Sequence, residues 1–159
     1  MYVERYWGNY IGGTDDSLTL LDYFMDQQKC EIALKDIFTD TGLEQLNWDF
    51  RATEPGLEYK SRDGGVHEFD YAIDLVTDLA ALMLECKVNG SIPLGQLCDD
   101  ADGRTVTIIA TSEEQNALNK ALADFYADPL DYDLHEMVSD EDMQEMAQAC
   151  EDLRRELFE

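Results

Sequence analysis

The stretch Trp48-Asp49-Phe50-Arg51-Ala52, Thr53-Glu54-Pro55-Gly56, Leu57-Glu58-Tyr59-Lys60-Ser61, Arg62-Asp63-Gly64-Gly65, Val66-His67-Glu68-Phe69-Asp70-Tyr71-Ala72, running on into Ile73–Lys87, decides the fold class. Three short runs, at Trp48–Ala52, Leu57–Ser61 and Val66–Ala72, are separated by Glu54-Pro55-Gly56 and Arg62-Asp63-Gly64-Gly65, both strong turn sequences. In the third run Val66, Glu68 and Asp70 alternate with His67, Phe69 and Tyr71, the two-residue period of a half-buried strand. The reading is a three-stranded antiparallel meander. In Ile73–Lys87 the acids Asp74, Asp78 and Glu85 fall on one narrow stripe and the remainder is apolar, which makes this segment the central packed helix.

Toward the N-terminus, Tyr2-Val3-Glu4-Arg5-Tyr6-Trp7 is aromatic and β-branched and reads as a short strand, broken by the Gly8–Gly13 segment. Thr14-Asp15-Asp16-Ser17 supplies an N-cap and first-turn acids for a helix that carries Leu18, Leu21, Phe24 and Met25 and ends near Lys29. Ile32–Thr41 is a second, short helix stopped by Gly42. Toward the C-terminus, Asn89-Gly90 ends the central helix and Asp99-Asp100-Ala101-Asp102-Gly103 is an acidic turn before a strand at Arg104–Ala110. Ser112 with Gln115 opens a helix presenting Leu118, Ala121, Leu122 and Phe125, and Asp128-Pro129 stops it. Ser139 with Asp142 opens the last helix, whose seam is Met143, Met146, Ala147, Cys150, Leu153 and Leu157. With no repeat and no linker, residues 1–159 are expected to form one α+β domain, a small antiparallel sheet with helices packed on it.

Composition narrows the function. Hydrophobic residues make up 45% of the 159, enough for a core, while 36 Asp and Glu face 11 Lys and Arg for a net charge of -25. Such a surface repels phosphates, whose binding needs basic side chains to release counterions, so direct contact with nucleic acid or an anionic membrane is excluded. It attracts cations: metal ions, polyamines or basic proteins. The first residues lack the basic and apolar regions of a secretory signal, and no apolar run approaches the roughly 20 residues that span a bilayer. Four cysteines stand singly, at 30, 86, 98 and 150, as free thiols suited to a reducing cytoplasm, where the protein is expected to reside.

For catalysis the chain is poor. HExxH, GxSxG, P-loop and GxGxxG are all missing, and its two histidines, His67 and His135, stand apart. Setting Gly103 at the sixth position of a calcium loop would put Cys98 and Ile109 where acidic ligands belong, so that match fails. No catalytic residue, metal ligand or cofactor is therefore expected. The informative feature is a charge asymmetry: Ala121–Leu153 contains no Lys or Arg. Within it Asp124, Asp128, Asp131, Tyr132, Asp133, Glu136, Asp140 and Asp142 form the candidate surface for a basic protein partner, the acids steering and the aromatic anchoring. A plainer reading has Leu130, Leu134 and Met137 folding onto the core beneath solvated acids. Asp15-Asp16, close to Trp7 and Tyr10, is a secondary candidate whose simpler role is to complement the dipole of its own helix.

In size, acidity, α+β pattern and lack of a catalytic motif the chain resembles the immunity proteins of bacterial toxin–immunity systems. The resemblance implies a non-enzymatic inhibitor that neutralises a basic, nuclease-like cognate toxin by covering its active or substrate-binding face. Two other readings share parts of the physics. One is a nucleic-acid mimic of the anti-restriction or anti-CRISPR kind, and the other is an enzyme built on a carboxylate or metal site.

Overall fold

A computed structural model of the chain describes residues 1–98 and 103–159. A 3-10 turn at Tyr2–Arg5 is followed by α1 (Asp15–Gln27), β1 (Glu31–Ala33), α2 (Leu34–Thr41), β2 (Leu57–Lys60) and β3 (Val66–Phe69). The chain continues through α3 (Ala72–Asn89), β4 (Ile92–Pro93), β5 (Thr105–Ile109), α4 (Ser112–Ala127) and α5 (Asp140–Phe158). The architecture is α+β. Helix α3 lies at its centre: Ala72 to Glu85 are all buried, and α1, α5, the N-terminal turn and β5 pack around it.

The sheets are arranged differently from the expected meander. β2 and β3 form an antiparallel hairpin, Leu57 opposite Phe69 and Tyr59 opposite His67, but no third strand joins it among the described residues. Trp48–Ala52 is irregular because Asn47 and Trp48 take left-handed backbone, with φ of 51° and 66°, which turns the chain out of line. The indole then packs on Phe38 and Phe50, with ring centroids 4.7 and 5.9 Å away. A separate mixed sheet has the order β1-β5-β4, with β1 parallel and β4 antiparallel to β5. β1 takes the start of Ile32–Thr41, so only the remainder of that segment is helical, closed by Gly42 at φ 88°. β3 ends at Phe69 because the next two amides, of Asp70 and Tyr71, donate to the Asp16 carboxylate and start α3.

The segment expected as a strand at Tyr2–Trp7 instead begins as the 3-10 turn Tyr2–Arg5, which packs on helices, and Trp7 makes an isolated bridge with Ile11. The Val3 amide donates to Glu85 of α3 at 2.9 Å, and the hydroxyls of Tyr2 and Tyr6 both donate to Glu156 of α5. In α1 the buried face is Ser17, Leu20, Leu21, Tyr23 and Phe24; Leu18 is exposed, and the helix ends two residues short of Lys29. Helix α4 is capped one residue earlier than expected, by Thr111 with Glu114. Ser139 caps α5 as read, accepting from the Asp142 amide, and every residue of the α5 seam is buried. The acidic turn expected at Asp99–Gly103 falls mainly on residues 99–102, outside those described. All four cysteines are free thiols, Cys150 within the core and Cys30 exposed.

Candidate protein-binding site

Helix α4 stops at Asp128 because Pro129 cannot continue it, and the chain runs through two 3-10 turns, Pro129–Asp131 and Asp133–Glu136, before Ser139 starts α5. This connection is held firmly. The Asp133 amide donates to the Arg51 carbonyl at 2.8 Å, and the Thr53 amide and hydroxyl donate to Asp133 Oδ2 at 2.9 and 2.5 Å. Thr53 Oγ1 in turn accepts from the Ala72 amide at the start of α3. Tyr132 is buried, its ring edge-on to Phe125 at 4.8 Å, and burial lifts its hydroxyl pKa to about 12. Leu134 also turns inward, whereas Met137 is 73% exposed.

His135 closes the connection. Its Nδ1 meets the Leu130 carbonyl at 3.1 Å and its Nε2 meets Asp140 Oδ1 at 2.5 Å. A carbonyl and a carboxylate both accept, an arrangement that favours the ring carrying a proton on each nitrogen. The hydrogen bond that His135 donates to the Asp140 carboxylate raises the His135 pKa.

Six of the eight candidate residues, Asp124, Asp128, Asp131, Glu136, Asp140 and Asp142, present exposed carboxylates. Asp124, Asp128, Asp131 and Tyr132 gather at a cleft of about 670 Å³. Asp131 and Tyr132 also border a shallower depression of about 360 Å³ that takes in Asp133 and Glu136. Asp140 is tied to the same connection through His135. Asp142 faces elsewhere, with Glu145, toward the Tyr10 hydroxyl, at 3.0 and 2.6 Å respectively.

Sequence reasoning missed the opposite wall of the cleft, formed by Asn47, Trp48, Asp49 and Arg51, with Lys120 on α4. Arg51 makes a two-point pair with Asp49, at 2.8 and 2.6 Å, and approaches Asp131 at 3.5 Å. The Asp49 carboxyl is held below its ordinary pKa by that pair. Nothing local in Trp48–Arg51 signals this; a strand and a cleft wall use the same residue types.

Also missed was a buried acidic group. Asp16, in the first turn of α1, does more than complement the dipole of its own helix: it is 3% exposed and accepts from the Asp70 and Tyr71 amides at 2.7 and 2.9 Å, stapling α1 to the lead-in of α3. Asp78 accepts from the Gly12 amide at 2.7 Å and the Ser17 hydroxyl at 2.5 Å. Asp74 Oδ1 and Asp133 Oδ1 are buried without a hydrogen-bond partner. Burial, reinforced by the neighbouring Asp78, Asp16, Asp133 and Asp70, pushes the Asp74 pKa up to about 8. Among the described residues no three of His, Cys, Asp and Glu converge to hold a metal ion. His67 is accounted for by its strand, stacked on Tyr59 with centroids 4.7 Å apart.

Among the described residues no helix is long and apolar enough to cross a membrane. No curated protein and no solved structure matches the chain. A family model, Imm68, described as immunity protein 68, matches residues 2–157, which is nearly the whole length. The chain therefore belongs to the Imm68 family of immunity proteins, the inhibitory partners of cognate toxins.

Proposed function

We propose that this immunity protein neutralises a basic, nuclease-like toxin in the bacterial cytoplasm by occlusion, laying the acidic face of α4, the following connection and α5 over the toxin's substrate-binding surface. The observation that carries the reading is the exposed carboxylate array of a segment, Ala121–Leu153, that contains no Lys or Arg. A toxin that handles nucleic acid must carry a basic substrate face, and that face is the complement of this array. Opposite potentials steer the two proteins together, so association is fast at low ionic strength and slows as salt screens it. Inhibition needs no turnover: a covered substrate face is an idle one.

On this reading the eight residues divide by role. Asp124, Asp128, Asp131, Glu136, Asp140 and Asp142 meet the partner or steer it. Tyr132 and Asp133 hold the connection in place, Tyr132 by packing on Phe125 and Asp133 by accepting from Thr53.

The test is retention of proteins from a lysate of the source organism on the immobilised chain, at low and high salt, followed by nuclease assay of what elutes. One basic protein, held at low salt, released at high salt and inhibited by adding the chain back, is the expected result. A retained toxin that is neutral or acidic, or retention indifferent to salt, would overturn the electrostatic mechanism.

A further inference from the structure

The cleft between Asn47–Arg51 and α4 has a composition of its own. Its interior is apolar, with Phe50, Ala121 and Tyr132 buried and the half-buried Trp48 as a wall. Its rim carries four carboxylates, Asp49, Asp124, Asp128 and Asp131, against the two cations Arg51 and Lys120. Lys120 is taken by Asp124 at 2.8 Å, and Arg51 by Asp49 and Asp131. Asp128 makes no ion pair among the described residues. An apolar interior within a polar, charged rim is the anatomy of a binding hot spot.

The rim also displays what it accepts. Arg51 stands among these carboxylates with its side chain 55% exposed, bidentate on Asp49 and reaching Asp131. A guanidinium therefore already fits the carboxylate spacing here. A second guanidinium, brought by a partner, finds Asp128 unpaired and can take Asp131 from the long, 3.5 Å contact with Arg51. Arginine suits such a place better than lysine. Its planar fork pairs with carboxylates at two points and stacks on an indole face, while its alkyl stem lies on small apolar residues such as Ala117 and Ala121.

We infer that this cleft receives an arginine side chain of the basic toxin, stacked against Trp48 and paired with Asp128 and Asp131. The inference rests on the toxin-binding reading above and fixes where on that acidic face the anchor sits.

The probe is a capped Gly-Arg-Gly peptide, with its citrulline counterpart as the uncharged control, titrated into the ¹⁵N-labelled full chain. Expected are saturable shifts of the Trp48 indole N–H and of the Lys120 and Ala121 amides in the millimolar range, with the Trp7 indole unmoved. The citrulline peptide should give none of these shifts. Asp128→Asn with Asp131→Asn, both isosteric and at exposed positions, should weaken arginine binding at least about fivefold. Shifts that fail to saturate, that spread evenly over the acidic helices, or that citrulline reproduces would overturn the cleft. A second arm uses the toxin itself. Ala117→Trp, which fills the cleft, should lower toxin affinity about tenfold or more while the melting temperature is retained. Unchanged toxin affinity in both Ala117→Trp and the double Asn variant would overturn the arginine site and leave the inhibitor reading standing. A chain that takes the arginine peptide but binds no basic toxin would overturn that reading, and the assigned occupant with it.

Discussion

Asp16, Asp74 and Asp78 are buried carboxyl groups with no cation paired to them among the described residues, and the way each is handled differs. Asp16 is satisfied by two backbone amides, and Asp78 by an amide and a hydroxyl, while Asp74 keeps one oxygen without a partner. Desolvation is the largest influence at both Asp74 and Asp78, lifting the first to about 8 and the second to about 7. The groups facing Asp74 are Asp78 on its own helix, Asp16 from α1, Asp70 and Tyr71 from the lead-in to α3, Asp133 from the connection and Cys150 from α5. None is basic. In the unfolded chain these carboxyls ionise near pH 4, so between there and pH 8 the folded state binds more protons than the unfolded one. Stability is then fully present below about pH 4 and declines as pH rises through the folded values, by up to about 1.4 kcal/mol per pH unit for each proton involved. Exposed carboxylates are already ionised above about pH 6, so a slope beyond that point belongs to the buried carboxyls and to His135, whose raised pKa tilts stability in the same direction and is shared by the wild type and an Asp74 variant. The melting temperature should fall steadily from pH 6 to pH 8.5, and Asp74→Asn should flatten the profile and melt higher than the wild type at the alkaline end. Parallel profiles for the two proteins would show that Asp74 is ionised in the fold throughout.

At the level of elements, the N-terminal segment and α5 hold one another. Tyr2, Tyr6 and Arg5 converge on Glu156, whose pKa the tyrosine hydroxyls lower, and Tyr10 reaches Glu145 and Asp142 about three and four turns earlier on the same helix. The bend that permits this is Gly12, at φ 77°, where an added Cβ would fall 2.1 Å from the Trp7 ring. Gly90, at φ 86°, closes α3 with open space around it. Gly90→Ala should therefore cost about 1–2 kcal/mol from backbone strain alone, whereas Gly12→Ala adds the displacement of an indole and should cost about 2–4 kcal/mol. Urea unfolding of the two variants makes the comparison, and equal midpoints would contradict the close packing of Trp7. Within α5, Leu153→Ala removes a wholly buried side chain from the seam and should cost about 2–5 kcal/mol in the same assay. Much of the local chemistry was legible in the sequence: Ser139 with Asp142, Asp128-Pro129, Gly42, Gly90 and the α5 seam all act over a few residues and read correctly, while the α4 cap fell one residue from the expected Ser112. What was hidden depends on partners far along the chain. Tyr2–Trp7 has the composition of a strand, but its first residues bond to Glu85 and Glu156 on distant helices and form a turn. β1 is defined by Thr107–Ile109, more than seventy positions away. The site divides in the same manner: its acids were visible as a run without cations, whereas the Trp48–Arg51 wall exists only because the chain folds back against α4. A buried acidic stripe on α3 reads as a solvated one until α1 and the connection cover it.

For the molecule as a whole, a charge of -25 sets stability against function. Like charges spread over the surface repel one another in the compact state, and among the described residues the side-chain cations that relieve them locally are few: Arg51 and Lys120 at the cleft, Arg5 at Glu156, Arg62 at Asp26, and Arg154 and Arg155 at Glu151. Salt screens that repulsion, so added sodium chloride should raise the melting temperature. Salt equally screens attraction to a basic toxin, so over the same range it should slow association. The two responses have opposite signs because they share one cause, an excess of negative charge maintained beyond what folding favours. Replacing exposed acids on the proposed face, Asp128→Asn, Glu136→Gln and Glu141→Gln together, should move the protein along both axes without touching its core. The variant should melt at or above the wild type at low salt and show a smaller rise with salt, while its association rate with the toxin falls about tenfold at low ionic strength and its dissociation rate changes less. A matched variant neutralising three acids away from that face, Asp36→Asn, Glu44→Gln and Glu58→Gln, carries the same net charge and should gain stability similarly while losing less of the association rate. If the two variants slow association equally, steering comes from net charge alone, and the face formed by α4, the connection and α5 has no privileged part in it.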